Sequence, residues 1–205
     1  MKGVIFVISV ALLGIGTISC GQSSIKETNR IENTQSENAY SMEEDIMEEI
    51  LRNLVEKNYS CITELFYYGN LPYEDVIQQD GVRIAKAKSE KYKSVDDIKR
   101  FLEQVYIQEE VDRLLVEYIN QQPLYFEQDS ELFMYVDQTT SAGIPIPWKA
   151  FEIEIKTIND SICKFEAVVE YHSDIYEGDK ERYEFQATNK DGWRLNSVVT
   201  GAMFK

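Results

Sequence analysis

Histidine is almost absent from this chain: His172 is the only one among 205 residues, so every mechanism that needs an imidazole must be built on it. Cysteine is nearly as scarce. Cys20, Cys61 and Cys163 are the full set, which excludes a disulfide-stapled scaffold. Basic charge is outweighed, with 21 Lys and Arg against 36 Asp and Glu and a formal net charge of −15. That balance argues against a nucleic-acid partner, whose phosphates require Lys and Arg clustered on one face. It points to no particular partner by itself, because charge far from zero also keeps a protein dispersed. No apolar run reaches the roughly 20 residues of a spanning helix, and the stretch from Val4 to Ile18 is interrupted by Gly14 and Gly16. Glycine-rich phosphate loops, a nucleophile elbow and metal-ligand spacings are also missing.

The apolar run opens with Lys2 and closes on Thr17-Ile18-Ser19-Cys20. Small or compact residues just before a cysteine resemble the lipobox of bacterial lipoprotein signals, with Thr17 standing where leucine is usual. Residues 1–19 are therefore expected to be a cleaved signal peptide, with Cys20 the lipidated N-terminus on the extracellular face of the cytoplasmic membrane. An ordinary secretory signal cut near Ser19, or an uncleaved anchor, are the alternatives. Residues 20–40 are rich in Ser, Asn, Gln, Thr and charge and cannot bury enough apolar surface to fold alone. As a flexible tether they would reach about 25 Å from the membrane.

Residues 41–205 are expected to form one α+β domain, with helices first and an antiparallel β-meander after them. Ser41 and Glu44 have the spacing of a capping box. Met47, Ile50, Leu51, Leu54, Cys61 and Leu65 then recur at helical spacing, and Gly69-Asn70-Leu71-Pro72 ends the helix. An irregular segment follows to Lys93, containing a short strand at Val82 to Ala87 entered through Asp80-Gly81. Ser94 to Asp97 starts a second helix carrying Ile98, Phe101, Leu102 and Val105. Val111, Leu114, Leu115, Tyr118 and Ile119 mark a third, which stops before Pro123. Beyond it the apolar period becomes two. Leu124 to Glu127 and Leu132 to Val136 form a hairpin with an acidic tip. Strands carrying Phe151-Ile153-Ile155, Cys163-Phe165-Ala167-Val169-Tyr171 and Tyr183-Phe185-Ala187 follow, and Asp191-Gly192 turns into Trp193 and Leu195. Cys61 and Cys163 both fall on apolar faces; whether they bond depends on a distance that sequence does not give.

Chemistry is hard to place on these elements. Along its strand His172 faces opposite to Cys163, so those two cannot pair. Cys61 on a helix core face is far more often an inert hydrophobe than a thiolate. Carboxylate pairs are not distinguishable from background in so acidic a chain. The acidic run Glu43 to Glu49 suits the positive end of a helix dipole rather than a metal. No catalytic residue, cofactor or metal is expected. Two loops offer surface chemistry instead: the hairpin Glu127, Asp129 and Glu131 running towards Asp137, and the Tyr171 to Tyr183 segment with Asp174, Glu177, Asp179 and Glu181.

The order Leu65-Phe66-Tyr67-Tyr68-Gly69-Asn70-Leu71-Pro72, then Tyr92 to Leu102, then Pro123-Leu124-Tyr125-Phe126-Glu127 and Leu132-Phe133 resembles the IseA-like family of cell-wall DL-endopeptidase inhibitors. The resemblance spans Ser41 to Val199 and rests on structural motifs. It implies a two-lobed, monomeric α+β protein, exported in Gram-positive bacteria, that binds and blocks the catalytic domain of NlpC/P60-type peptidoglycan hydrolases. By position in the strand order and by charge, it implies contact through Glu127, Asp129, Glu131 and Asp137, with the Gly143 and Pro145 loop shaping the approach. A lipid anchor departs from the simply secreted members of that family. The alternative is an anchored binding module for a small molecule or peptide. Lipid attachment is directly testable: a Cys20→Ala chain should lose all fatty-acid label in cells that label the native chain, and label surviving the substitution would refute the anchor.

Overall fold

The computed structural model describes residues 45–67, 69–116, 122–136, 148–171 and 178–200. Helix α1 occupies residues 45–60, so the expected Ser41 cap lies outside the described residues. Leu51, Leu54 and Val55 turn its apolar face inward, and Asn58 lies among them fully buried. The helix widens into a π turn over Cys61–Leu65 and stops where Phe66 becomes extended, its N–H reaching back to the Cys61 carbonyl at 3.0 Å. The hydroxyl of Tyr125 closes this end: it donates to the Leu65 carbonyl at 2.6 Å and accepts from the Leu71 N–H at 3.3 Å. Gly69 follows at a position where any Cβ would collide with the Thr63 carbonyl. Here glycine is needed for close approach.

Two strands then precede the next helix, β1 (Tyr73–Gln79) and β2 (Val82–Ala87), joined at Asp80-Gly81. Both turn residues have positive φ, 52° and 83°, as a two-residue hairpin demands. Strand β2 was expected and β1 was not, since the segment looked irregular. Every residue of β1 is exposed, so it never acquired the alternation that marks a half-buried strand. Helix α2 (Val95–Leu102) starts with the expected capping box: the Ser94 hydroxyl accepts from the Asp97 N–H, and the Asp97 carboxylate accepts from the Ser94 N–H. Helix α3 (Gln108–Val116) follows; the expected extension through Tyr118 and Ile119 lies outside the described residues.

The remaining strands are β3 (Tyr125–Gln128), β4 (Glu131–Tyr135), β5 (Trp148–Ile158), β6 (Ile162–Tyr171), β7 (Lys180–Asn189) and β8 (Trp193–Leu195). They do not make one continuous meander. The β3–β4 hairpin joins the first sheet, whose order is β1-β2-β4-β3, while β5 to β8 form a second sheet in sequence order. All strand pairings are antiparallel. The fold is therefore α+β, with strands interleaved among the helices as well as after them.

Residues Asp45–Lys205 form one compact unit. A single apolar core serves both sheets: Leu132 and Met134 from the first and Phe165, Val169, Phe185 and Leu195 from the second join Leu51, Leu65 and Leu114 from the helices. Cys61 and Cys163 lie in that core as free thiols.

A polar knot fastens the chain beyond β8 to the helices. Leu195 exchanges backbone bonds with the α2–α3 turn, donating to Val105 O at 2.7 Å and accepting from Ile107 N at 3.0 Å. Asn58 then holds Val199 twice, donating to its carbonyl at 2.8 Å and accepting from its N–H at 3.0 Å, and it also accepts from the Tyr106 hydroxyl at 3.0 Å. Nearby Glu110, also buried, accepts from Val198 N at 2.8 Å and takes Arg113 in a two-pronged ion pair. Truncating Asn58 would strand a buried hydroxyl and two backbone groups, each worth on the order of 1 kcal/mol or more. We expect Asn58→Ala to cost about 3 kcal/mol, read as a lowered urea midpoint; an unchanged midpoint would show the knot to be dispensable.

Candidate functional site

The acidic hairpin is built largely as its sequence suggested, but its charges are not equivalent. In β3, Tyr125 and Glu127 share the face turned towards the helices. Tyr125 is buried, and the Glu127 carboxylate accepts the Val95 N–H of the first turn of α2 at 2.9 Å. That site suits an anion, because the first N–H groups of a helix lack partners and carry its positive pole. Glu131, at the start of β4, pairs with Lys86 of β2 at 2.5 Å. Both carboxylates thus have a partner within the fold while remaining exposed. Between them Asp129 is exposed at the apex. Asp137, Gly143 and Pro145 lie outside the described residues, as do His172, Asp174 and Glu177. Of the second acidic loop, Glu181 accepts from the Tyr183 hydroxyl at 2.9 Å.

The apex has unusual backbone geometry. Asp129 and Ser130 both have positive φ, 53° and 64°, in a two-residue turn where Asn-Gly would be easier. For Ser130 this region costs about 1 kcal/mol or more, and for Asp129 less, because a short polar side chain tolerates the left-handed conformation. The flanking register, Gln128 opposite Glu131 and Glu127 opposite Leu132, holds the turn in place. Alongside it, on the face of the sheet away from the helices, Phe126 stacks against Phe133 and Tyr135 with ring centroids 5.8 and 4.6 Å apart. All three rings are half-buried. The arrangement offers one projecting carboxylate beside an aromatic surface, which is contact chemistry.

Away from the hairpin, the surroundings shift two thiols and one carboxylate pair. Burial pushes the Cys61 thiol up to about 12 and the Cys163 thiol up to about 11, so neither supplies a thiolate near neutral pH. Glu154 and Glu166 face each other across β5 and β6, the spacing that could suggest a carboxylate pair. Both share Arg182 and Lys156, at 2.6 and 2.9 Å for Glu154 and at 2.8 and 3.1 Å for Glu166. Hydrogen bonds from Arg182 first, then Lys156, hold Glu154 down at about 2 and lower Glu166 as well. A carboxyl serving as general acid needs the opposite shift. Among the described residues no group of three His, Cys, Asp or Glu is placed to hold a metal ion. No helix among them is long and apolar enough to cross a membrane.

One feature escaped the sequence: an open groove of about 500 Å³ between α1 and the β7–β8 turn. Glu49, Asn53 and Lys57 line it from α1, and Trp193 and Arg194 line it from β8. Residues 137 positions apart carry no mutual signal. Lys57 did leave a faint one, because Asn53, Leu54, Ser60 and Cys61, its neighbours three and four residues away, include no acid.

No protein-family model matches the chain, and no curated protein matches it as a relative. The thiol chemistry is checked by alkylation of the Cys20→Ala chain at pH 8. Cys61 and Cys163 should resist iodoacetamide in the native protein and react fully in denaturant. Rapid native labelling of either would contradict their burial.

Proposed function

We propose that the chain is a lipid-anchored extracellular inhibitor of peptidoglycan DL-endopeptidases of the NlpC/P60 type, acting by binding their catalytic domain rather than by catalysis. The observation that carries this reading is the apex of the β3–β4 hairpin, where Asp129 projects from a turn held in a costly left-handed conformation. Strain of this kind persists where the surroundings over-determine it, and it concentrates at sites of contact and function. The target enzymes cut beside D-glutamate in an anionic peptide, so a rigid acidic finger suits their substrate groove as a substrate mimic.

The two flanking carboxylates, both exposed, also brace the hairpin. Glu127 and Glu131 are the struts: one ties the hairpin to α2 and the other ties β4 to β2. Because the finger is already ordered, binding spends little on ordering it. The half-buried rings of Phe126, Phe133 and Tyr135 add apolar contact beside the charge. Anchoring through Cys20 would concentrate the domain near wall enzymes, so that a modest intrinsic affinity suffices. A second reading, an anchored module that binds a small molecule or peptide, is favoured by the groove between α1 and β8.

The test is cleavage of purified peptidoglycan by an NlpC/P60 endopeptidase with and without the chain. The native protein should slow cleavage at micromolar concentration. Asp129→Lys should weaken inhibition by about 2 kcal/mol, roughly thirtyfold, with the fold intact by circular dichroism. Unchanged inhibition by Asp129→Lys together with Glu131→Lys removes the hairpin from the contact. No slowing and no binding by the native chain overturns the function.

A further inference from the structure

Most described lysines and arginines are matched to a carboxylate: Arg52 to Glu48, Lys86 to Glu131, Lys91 to Glu64, Arg113 to Glu110, and Lys156 and Arg182 to Glu154 and Glu166. With acids in such excess this is expected. Lys57 and Arg194 are exceptions among the described residues, as are Lys164 and Lys190, but only Lys57 and Arg194 of these line the same groove. The fold places them together. Lys57 donates to the Gln104 side chain at 3.3 Å, and Arg194 Nε donates to the neighbouring Glu103 carbonyl at 2.6 Å. A second Arg194 nitrogen donates to Trp193 O at 2.8 Å, which leaves three of the five guanidinium N–H groups for other acceptors. Gly192, at φ 105°, makes room for this guanidinium, since a Cβ there would lie 3.1 Å from its Nη1.

The opposite sign stands at the other end. Glu49 lines the groove eight residues before Lys57 on the same helix, and eight residues at 1.5 Å each set them about 12 Å apart along the axis. An extended peptide of three or four residues has that length, at about 3.3 to 3.6 Å per residue. Between the two ends lie the amide of Asn53 and the apolar surface of Ile50 and Trp193. The groove volume, about 500 Å³, falls within the range of small-ligand sites. We propose that the groove binds a short free peptide, its C-terminal carboxylate taken by Lys57 and Arg194 and its amino end directed to Glu49. Apolar side chains would pack on Trp193, and the Asn53 and Gln104 amides would meet the peptide backbone.

This proposal concerns none of the hairpin residues. Its test contains no hydrolase, so the two readings stand or fall separately. In a full-length Trp148→Phe chain, Trp193 is the one tryptophan that remains. Titration with the tetrapeptide Ala-Ala-Ala-Leu should give a saturable change in its emission. Amidating the peptide's C-terminus, or introducing Lys57→Gln, should weaken binding about tenfold each, and the amidated peptide should bind the Lys57→Gln chain no worse than it binds the parent. Acetylating the amino end should weaken binding through loss of the Glu49 contact. No saturable change at millimolar peptide overturns the proposal. Equal affinity for the free-acid and amidated peptides overturns it as well, whatever the behaviour of the protein variants.

Discussion

A single buried amide holds the parts of this protein in register. Asn58 lies in the apolar face of α1 with no exposed surface, and its side chain meets Tyr106 and both backbone groups of Val199. Burying an amide without partners costs several times what a formed hydrogen bond returns. Alternative dockings of the chain end are thereby penalised, and the helices keep one relation to β8. The two features with functional promise both lean on that relation. The groove is walled by α1 on one side and by β8 on the other, and the α2–α3 turn that bonds to Leu195 continues from the helix whose N-terminus receives Glu127.

The surplus of acid is distributed unevenly. Asp97 and Glu127 serve the N-terminus of α2, where hydrogen bonds from the backbone of Lys93 hold Asp97 below the usual carboxylate range. Glu110 is spent inside the fold on Arg113 and Val198. Glu154 and Glu166 would repel across neighbouring strands but are bridged by Arg182 and Lys156. Net charge alone therefore misplaces the sites of interest. What it hides is a projecting carboxylate at Asp129 and a pair of cations at Lys57 and Arg194, two places of opposite charge.

The second sheet was legible because its inner face is buried and its outer face is wet. Buried Cys163, Phe165, Ala167 and Val169 alternate with exposed Lys164 and half-buried Glu166 and Glu170, with buried Val168 the one departure, and only one register buries the first set. Capping of α2 was legible from Ser94 and Asp97 for a local reason, since all its partners lie within four residues. Strand β1 was not, because exposure on both faces removes the periodic signal. Pairing of β2 with β4 joins segments some fifty residues apart, and no local pattern encodes it. The acidic hairpin shows both cases at once: its turn was evident, whereas the use of Glu127 as a helix cap depends on α2 lying thirty-two residues away in sequence.

Hydrogen–deuterium exchange on the chain, alone and mixed with a purified NlpC/P60 catalytic domain, tests for the hairpin contact residue by residue. A contact through the acidic hairpin should add protection over Tyr125–Gln128 and Glu131–Tyr135 and at the turn between them, with the outer face of β5 to β7 unchanged. Protection confined to β5–β7, or none anywhere at saturating enzyme, would contradict it.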